Sequence, residues 1–193
     1  RSARAGGRAG DADALAERLK QAWPGMGSAY LLVGDARFAA GQYDLAAAAY
    51  ADAARVRLDD QLAVRLVFTA AQQGNAAAGA QLAAGYLGSR PQSPVAARLA
   101  ADYAASIGDW GQARALLENL AGQGGWRDVR LLSDLSYAQL RLGDPQTATK
   151  TARRALDLQP ASPVAAQALA MALKAAKQDD DLATALETRA ARP

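Results

Sequence analysis

Four glycines set the frame of this chain. Gly41, Gly74, Gly108 and Gly143 lie 33, 34 and 35 residues apart, and each is followed by Gln, Asn or Asp. A glycine followed by a short polar residue reads as one helix ending and the next being capped. Recurrence at a period of this length marks a repeat array, in which each unit is one supersecondary element that cannot bury its apolar face alone. The fourth copy is the fullest. Gly143-Asp144-Pro145 opens a helix that runs through Ala155-Leu156 and stops at Pro160.

Composition points to helices. The chain is 51% apolar but only 6% aromatic, with alanine the commonest apolar residue. Alanine has the highest helix propensity, and its small side chain lets helices approach closely. No alternating run of Val, Ile or Thr supports a strand. The net charge is +3, and no dense Lys/Arg block occurs; the nearest are Arg1, Arg4 and Arg8 and the pair Arg153-Arg154. A nucleic-acid partner is therefore not expected. With no Cys and no His, disulfides, Cys/His zinc sites and His-based triads are excluded. No apolar run approaches the roughly 20 residues of a membrane span. No signal peptide is visible, and the chain begins at Arg1 rather than Met, as expected of a fragment or a mature form.

Residues 1–10 are Gly/Arg/Ala-rich without periodicity and read as a ragged N-terminal segment. Residues 11–26 read as half a repeat: Asp11 caps a helix, Leu15, Leu19 and Ala22 form one face, and Trp23-Pro24-Gly25 stops it. Repeats follow at about 27–60, 60–93, 94–127, 129–162 and 163–193. In the second, Gly79, Ala83 and Tyr86 stand where the first has Ala46, Tyr50 and Ala53. Large and small have changed places, so the packing must differ there. The glycine-rich link from Ala121 to Trp126 is the expected hinge. Asp179-Asp180-Asp181 reads as the start of the last helix, whose Glu187 and Arg189 give it a polar outer side. Trp23 and Trp110 read as packing residues, and Trp126 as a half-exposed cover for a helix end.

This pattern resembles the tetratricopeptide repeat, a 34-residue helix–turn–helix unit. The resemblance rests on Gly34, Ala46, Tyr50 and Ala53 in the first repeat, Pro91 in the second and Ala113 in the third. Ala148, Ala155 and Pro160 carry it in the fourth. Arg37, Gln139, Gly79 and Tyr86 depart from it; the first two stand where an apolar residue is usual. The resemblance implies an all-α, right-handed superhelical solenoid of antiparallel helix pairs. It also implies a concave groove lined by the first helix of each pair. Carried over, the groove positions are Leu31, Asp35 and Phe38, then Val64, Arg65, Phe68 and Gln72, then Arg98 and Asp102, then Arg130, Tyr137 and Arg141. Aromatic and Arg side chains are favoured interface anchors, although core packing and a solvated charged face account for the same residues. The family's carboxylate clamp is not present, because Leu31 and Asp35 occupy the positions of its Lys and Asn.

No paired carboxylates in a pocket and no phosphate-cradling loop are evident. The expected function is a non-catalytic scaffold, with no cofactor, that binds a peptide or a partner protein. The alanine-rich composition suggests a bacterial source, with either periplasm or cytoplasm open. It is similar to that of repeat regions of bacterial proteins tied to envelope assembly and polysaccharide export. Two other readings stand beside it: a regulatory or substrate-presenting region of a larger enzyme or transcription regulator, and a self-assembly module pairing through its array ends.

Overall fold

The computed structural model describes residues 14, 17–19, 21–23 and 25–191. The expected ragged segment, the Asp11 cap, Leu15 and Pro24 lie outside these residues. Between Gly27 and Ala190 the chain forms ten α-helices and one short 3-10 turn, without strands. They are α1 (Gly27–Ala39), α2 (Tyr43–Val56), α3 (Asp60–Gln72), α4 (Ala76–Ser89), α5 (Pro94–Ser106), α6 (Trp110–Gly122), α7 (Val129–Arg141), α8 (Pro145–Leu158), α9 (Pro163–Ala175) and α10 (Asp180–Ala190). The 3-10 turn, Gly125–Arg127, lies between α6 and α7.

The contacts divide the chain into two compact units, Arg1–Pro91 and Gln92–Pro193. In the first, α1 packs on α2, α3 on α4, and α2 on α3. In the second, the pairs are α5 with α6, α7 with α8 and α9 with α10. There α6 leans on α7, α8 on α9, and α7 on α9. The architecture is all-α, built from consecutive helix pairs.

The turns inside the pairs explain the glycine period. Gly41, Gly74, Gly108 and Gly143 all have φ between 70° and 84°, a left-handed conformation that glycine adopts without steric penalty. At each one the glycine N–H bonds back three residues, and the next N–H bonds back five, as in Asp144 to Gln139 O and Gly143 to Leu140 O. Both last-turn carbonyls of the outgoing helix are thereby satisfied. The residue after the glycine then caps the incoming helix. The side chains of Asn75, Asp109 and Asp144 accept from the backbone N–H three residues on. Gln42 makes no such bond. In the fifth pair no glycine is available: Lys177 takes the left-handed conformation at φ 54°, and the cap Asp179 also has φ 41°.

The links between pairs use the same chemistry. Asp59, Ser93, Asp128 and Ser162 cap α3, α5, α7 and α9 through their side chains. Pro94, Pro145 and Pro163 open their helices, where a missing N–H removes no bond. In the link expected to be a hinge, both central glycines stand where a side chain would not fit without strain. Gly124 is left-handed at φ 110°, and a Cβ on Gly125 would stand 2.7 Å from the Leu120 carbonyl oxygen. The division between the two compact units falls at Pro91 and Gln92.

Close helix contact within pairs runs through small residues. Ala46, Ala113, Ala148 and Ala183, each one turn into the second helix of its pair, are fully buried. Elsewhere the two helices trade volume. In the first pair Gly34 faces Tyr50, and a Cβ on Gly34 would lie 2.3 Å from the Tyr50 ring. One repeat on, the equivalent positions hold Val67 and Ala83, both buried. The large residue of α4 is Tyr86, one turn later and also buried. The exchange noted in the sequence is therefore matched on the facing helix.

The departures from the repeat pattern have separate outcomes. Arg37, largely buried, pairs with Glu17 at 3.0 Å. Gln139 is buried, and its Oε1 has no hydrogen-bond partner. Leu142, just beyond the end of α7, is exposed, and Trp23 is 51% exposed instead of packed. Ala22, expected on the inward face of its helix, is exposed. Glu187 and Arg189 reach back, Glu187 to Lys174 at 2.6 Å and Arg189 to the Pro160 carbonyl.

Candidate functional site

In the second unit the first helices α5, α7 and α9 frame two depressions that share a wall. The larger, about 360 Å³, runs between α7 and α9 past Ser133, Leu140, Val164, Gln167 and Met171. The smaller, about 160 Å³, lies among α5, α6 and α7 against Asp102, Ala105, Trp110 and Leu117. Asp134 and Tyr137 line both. Val164, Met171 and Tyr137 are large apolar side chains with 51%, 37% and 37% of their surface exposed.

Charge and rings are ordered around the shared wall. Arg98 on α5 lies between two carboxylates: its Nε is 2.9 Å from Asp102, and its other arm pairs with Asp134 on α7. Burial works against the charged form of Arg98, but the Asp102 and Asp134 charges outweigh it and raise the pKa. Trp110 meets Tyr137 edge-on at 5.4 Å. The Arg141 guanidinium covers the Trp110 ring at 4.7 Å and approaches the Tyr137 ring at 6.0 Å. Trp110 thus ties the α5–α6 pair to α7, as a packing residue between hairpins would. Trp126, 37% exposed, is covered by Arg154 of α8 at 4.9 Å.

In the first unit the corresponding face of α1 and α3 holds Asp35, Phe38, Arg65 and Phe68. Arg65 binds Asp35 through two nitrogens, at 2.8 and 3.1 Å, and the Tyr50 hydroxyl donates to Asp35 at 2.6 Å. Burial would raise the Asp35 pKa, but the bonds from Arg65 and Tyr50 hold it below its ordinary value. Phe38 lies 5.2 Å from Tyr43 and 5.5 Å from Phe68. Phe68 and Val64 are 54% and 43% exposed.

Both units repeat one architecture, and it recurs in solved structures. MamA residues 41 to the end, from Desulfovibrio magneticus RS-1, superposes with a TM-score of 0.71. It is 18% identical over 85% of this chain and 92% of that one. MamA of MSR-1 gives 0.65 at 19% identity, over 86% and 98%. MamA of AMB-1 gives 0.62 at 21%, over 85% and 89%. The chain has the tetratricopeptide-repeat fold. At these identities the likeness is one of fold. No protein-family model matches the sequence, and no curated protein matches it.

On this tetratricopeptide frame the candidate residues separate into groups. Asp102 and Tyr137 lie in the groove of the second unit, and Arg141 is beside it. Arg98 supports the groove wall from behind. Asp35 and Arg65 are bound to each other, Phe38 and Phe68 form a ring cluster, and Gln72 and Arg130 are exposed on α3 and α7. Asp134, Trp110, Val164, Gln167 and Met171 line the groove without having been singled out for it. The repeat register could have found three of them: Val164, Gln167 and Met171 hold in the fifth repeat the places of Arg130, Ser133 and Tyr137 in the fourth.

The acidic runs are occupied locally. Asp59 and Asp179 accept from the Leu62 and Leu182 N–H groups, and Asp60 accepts from the Tyr86 hydroxyl. Among the described residues no cluster of acidic side chains could hold a metal ion, and no helix is long and apolar enough to cross a membrane.

Proposed function

We propose that the chain is a non-catalytic interaction scaffold whose second unit takes a peptide, or a segment of a partner protein, along α5, α7 and α9. The observation that carries this is the groove between α7 and α9. There Val164, Met171 and Tyr137 stay open to solvent beside unfilled volume. Exposed apolar surface gathered in a concavity and rimmed by polar groups is what partner sites offer. Arg98 and Asp134 brace the wall, so the groove is formed before a partner arrives. The finer role, within a bacterial envelope or polysaccharide-export assembly, is supported by composition alone.

The test is capture of partners from the native cells with the chain as bait, beside Val164→Glu and Met171→Glu variants. Both side chains are exposed, so a charge there disturbs the groove while sparing the core. A partner held by the wild type and lost by both variants supports the reading. A partner held equally by all three moves the site off this groove.

A self-assembly role has an observation of its own. Trp23, Met26 and Leu32 expose 51%, 46% and 60% of their surface at the start of the first unit. Sedimentation across a wide concentration range tests it; an unchanging monomer mass removes it. A regulatory or substrate-presenting role within a longer enzyme or transcription regulator uses the same groove and is tested by the same variants.

A further inference from the structure

We propose that the smaller pocket, among α5, α6 and α7, receives a basic side chain, arginine or lysine, from a partner segment that lays a neighbouring apolar side chain into the α7–α9 groove. This rests on the groove reading above and gives the partner its chemistry.

The lining of the pocket decides the sign of its guest. Its charged groups are the carboxylates of Asp102 and Asp134, its rings are Trp110 and Tyr137, and the rest is apolar. No cation lines it. Asp102 and Asp134 keep 55% and 41% of their side-chain surface exposed, so both are reachable. Arg98 contacts both, but it lines the separate depression near Pro94, Leu120 and Gln123. Arg98 pairs with both carboxylates from outside the pocket, and each carboxylate keeps exposed oxygen surface that a second donor can reach. Reachable carboxylate oxygens in a pocket lined otherwise by apolar groups favour a cationic donor over a neutral guest. The Arg141 guanidinium rests on Trp110 without entering the pocket.

Size and neighbourhood agree. A volume of about 160 Å³ equals roughly five waters' share of the liquid, enough for one long side chain. Asp134 and Tyr137 form the wall shared with the α7–α9 groove, so a segment crossing that wall meets a carboxylate-and-ring pocket on one side. On the other side it meets the apolar surfaces of Leu140, Val164 and Met171. The pair selects a basic residue close in sequence to an apolar one.

The experiment is selection of a displayed random dodecapeptide library on the full chain, followed by fluorescence anisotropy with the enriched peptides. Enriched peptides are expected to carry Arg or Lys near Leu, Ile, Met or Phe. Replacing the basic residue by Gln weakens binding about tenfold, the size of one charge-assisted bond. Asp102→Asn weakens binding similarly and makes the peptide's Gln replacement nearly silent. Because Asp102→Asn also loosens Arg98, a second variant runs the other way. Ala105→Glu adds a carboxylate at the pocket and tightens basic peptides, an effect that misfolding does not produce. Acidic or neutral peptides that lose binding in Met171→Glu overturn the basic-guest proposal and leave the groove reading standing. Basic peptides insensitive to Asp102→Asn and Ala105→Glu overturn it too. If no peptide is enriched, or none is lost in Met171→Glu, both readings fall.

Discussion

Arg65 grips Asp35 through two nitrogens across two helix pairs, and the same carboxylate accepts the Tyr50 hydroxyl. Asp35 is therefore the hub of a network joining α1, α2 and α3. The two ends of the ion pair are unequal. Losing Arg65 removes one half-exposed pair, worth about 0.5–1 kcal/mol. Losing Asp35 also strands a buried tyrosine hydroxyl, adding about 1–3 kcal/mol. Urea denaturation should show Asp35→Ala well below Arg65→Ala in stability; equal losses would remove the hub.

The same network sets how the first unit responds to pH. The folded pKa of Asp35 is depressed, so its contribution is present above the unfolded value of roughly 3.9 and is lost as pH falls through the lower folded value. Tyr86 runs oppositely. Burial, followed by the hydrogen bond to Asp60, pushes its hydroxyl up to about 12. Its contribution is complete below an unfolded value of roughly 10 and lost as pH rises through the folded one. Thermal melts should show a weaker acid limb in Asp35→Asn and a weaker alkaline limb in Tyr86→Phe. The rest of the alkaline limb comes from Tyr50, which burial and the Asp35 bond also push up.

Gly34 and Tyr50 fill one space between them. Gly34→Ala puts a Cβ 2.3 Å from the ring and should cost about 1–3 kcal/mol or more through overpacking. Gly34→Val with Tyr50→Ala copies Val67 and Ala83 of the next pair and should recover much of that loss. A double-mutant cycle in urea measures the coupling, and simple additivity would contradict the shared volume.

Gln139 is buried with an unpartnered Oε1, at a position the repeat family gives to apolar side chains. Gln139→Met keeps the length and removes the polar atoms, and should raise stability by about 1 kcal/mol. A fall in the denaturation midpoint would mean that water satisfies the amide.

Lys177 holds φ 54° where the four other pairs have glycine. Lys177→Gly should stabilise the last pair by about 1 kcal/mol by relieving left-handed strain. Hydrogen exchange of α10 amides reads the change locally.

What the sequence made legible was the chemistry that is local. Glycine followed by Asx, and proline after Ser or Asp, act within a few residues, so the turns at Gly41, Gly74, Gly108 and Gly143 and the caps at Asp109 and Asp144 could be read directly. The fifth turn was harder because Lys177 carries no glycine signal. What depends on contact between pairs was not legible. Nothing near Arg98 in sequence says that Asp134, 36 residues on, will hold it, or that Asp35 and Arg65 will hold each other. Groove residues in the fifth repeat, Val164 and Met171, are marked only by the repeat register, which sets them at the places of Arg130 and Tyr137; their apolar character alone gives no sign of being left uncovered.

The exchange of bulk between Gly34/Tyr50 and Val67/Ala83 limits how such a chain can evolve. A crossover inside a pair would join α1 to α4 and set Gly34 on Ala83, leaving a hole. The reciprocal product would drive Val67 into Tyr50. Recombination that breaks instead between Arg57 and Asp59, or between Arg90 and Ser93, moves each matched pair whole. The first two hairpins are therefore gained or lost whole, whereas the third and fifth, with Ala101/Leu117 and Ala170/Leu186 at the same places, are interchangeable at this contact.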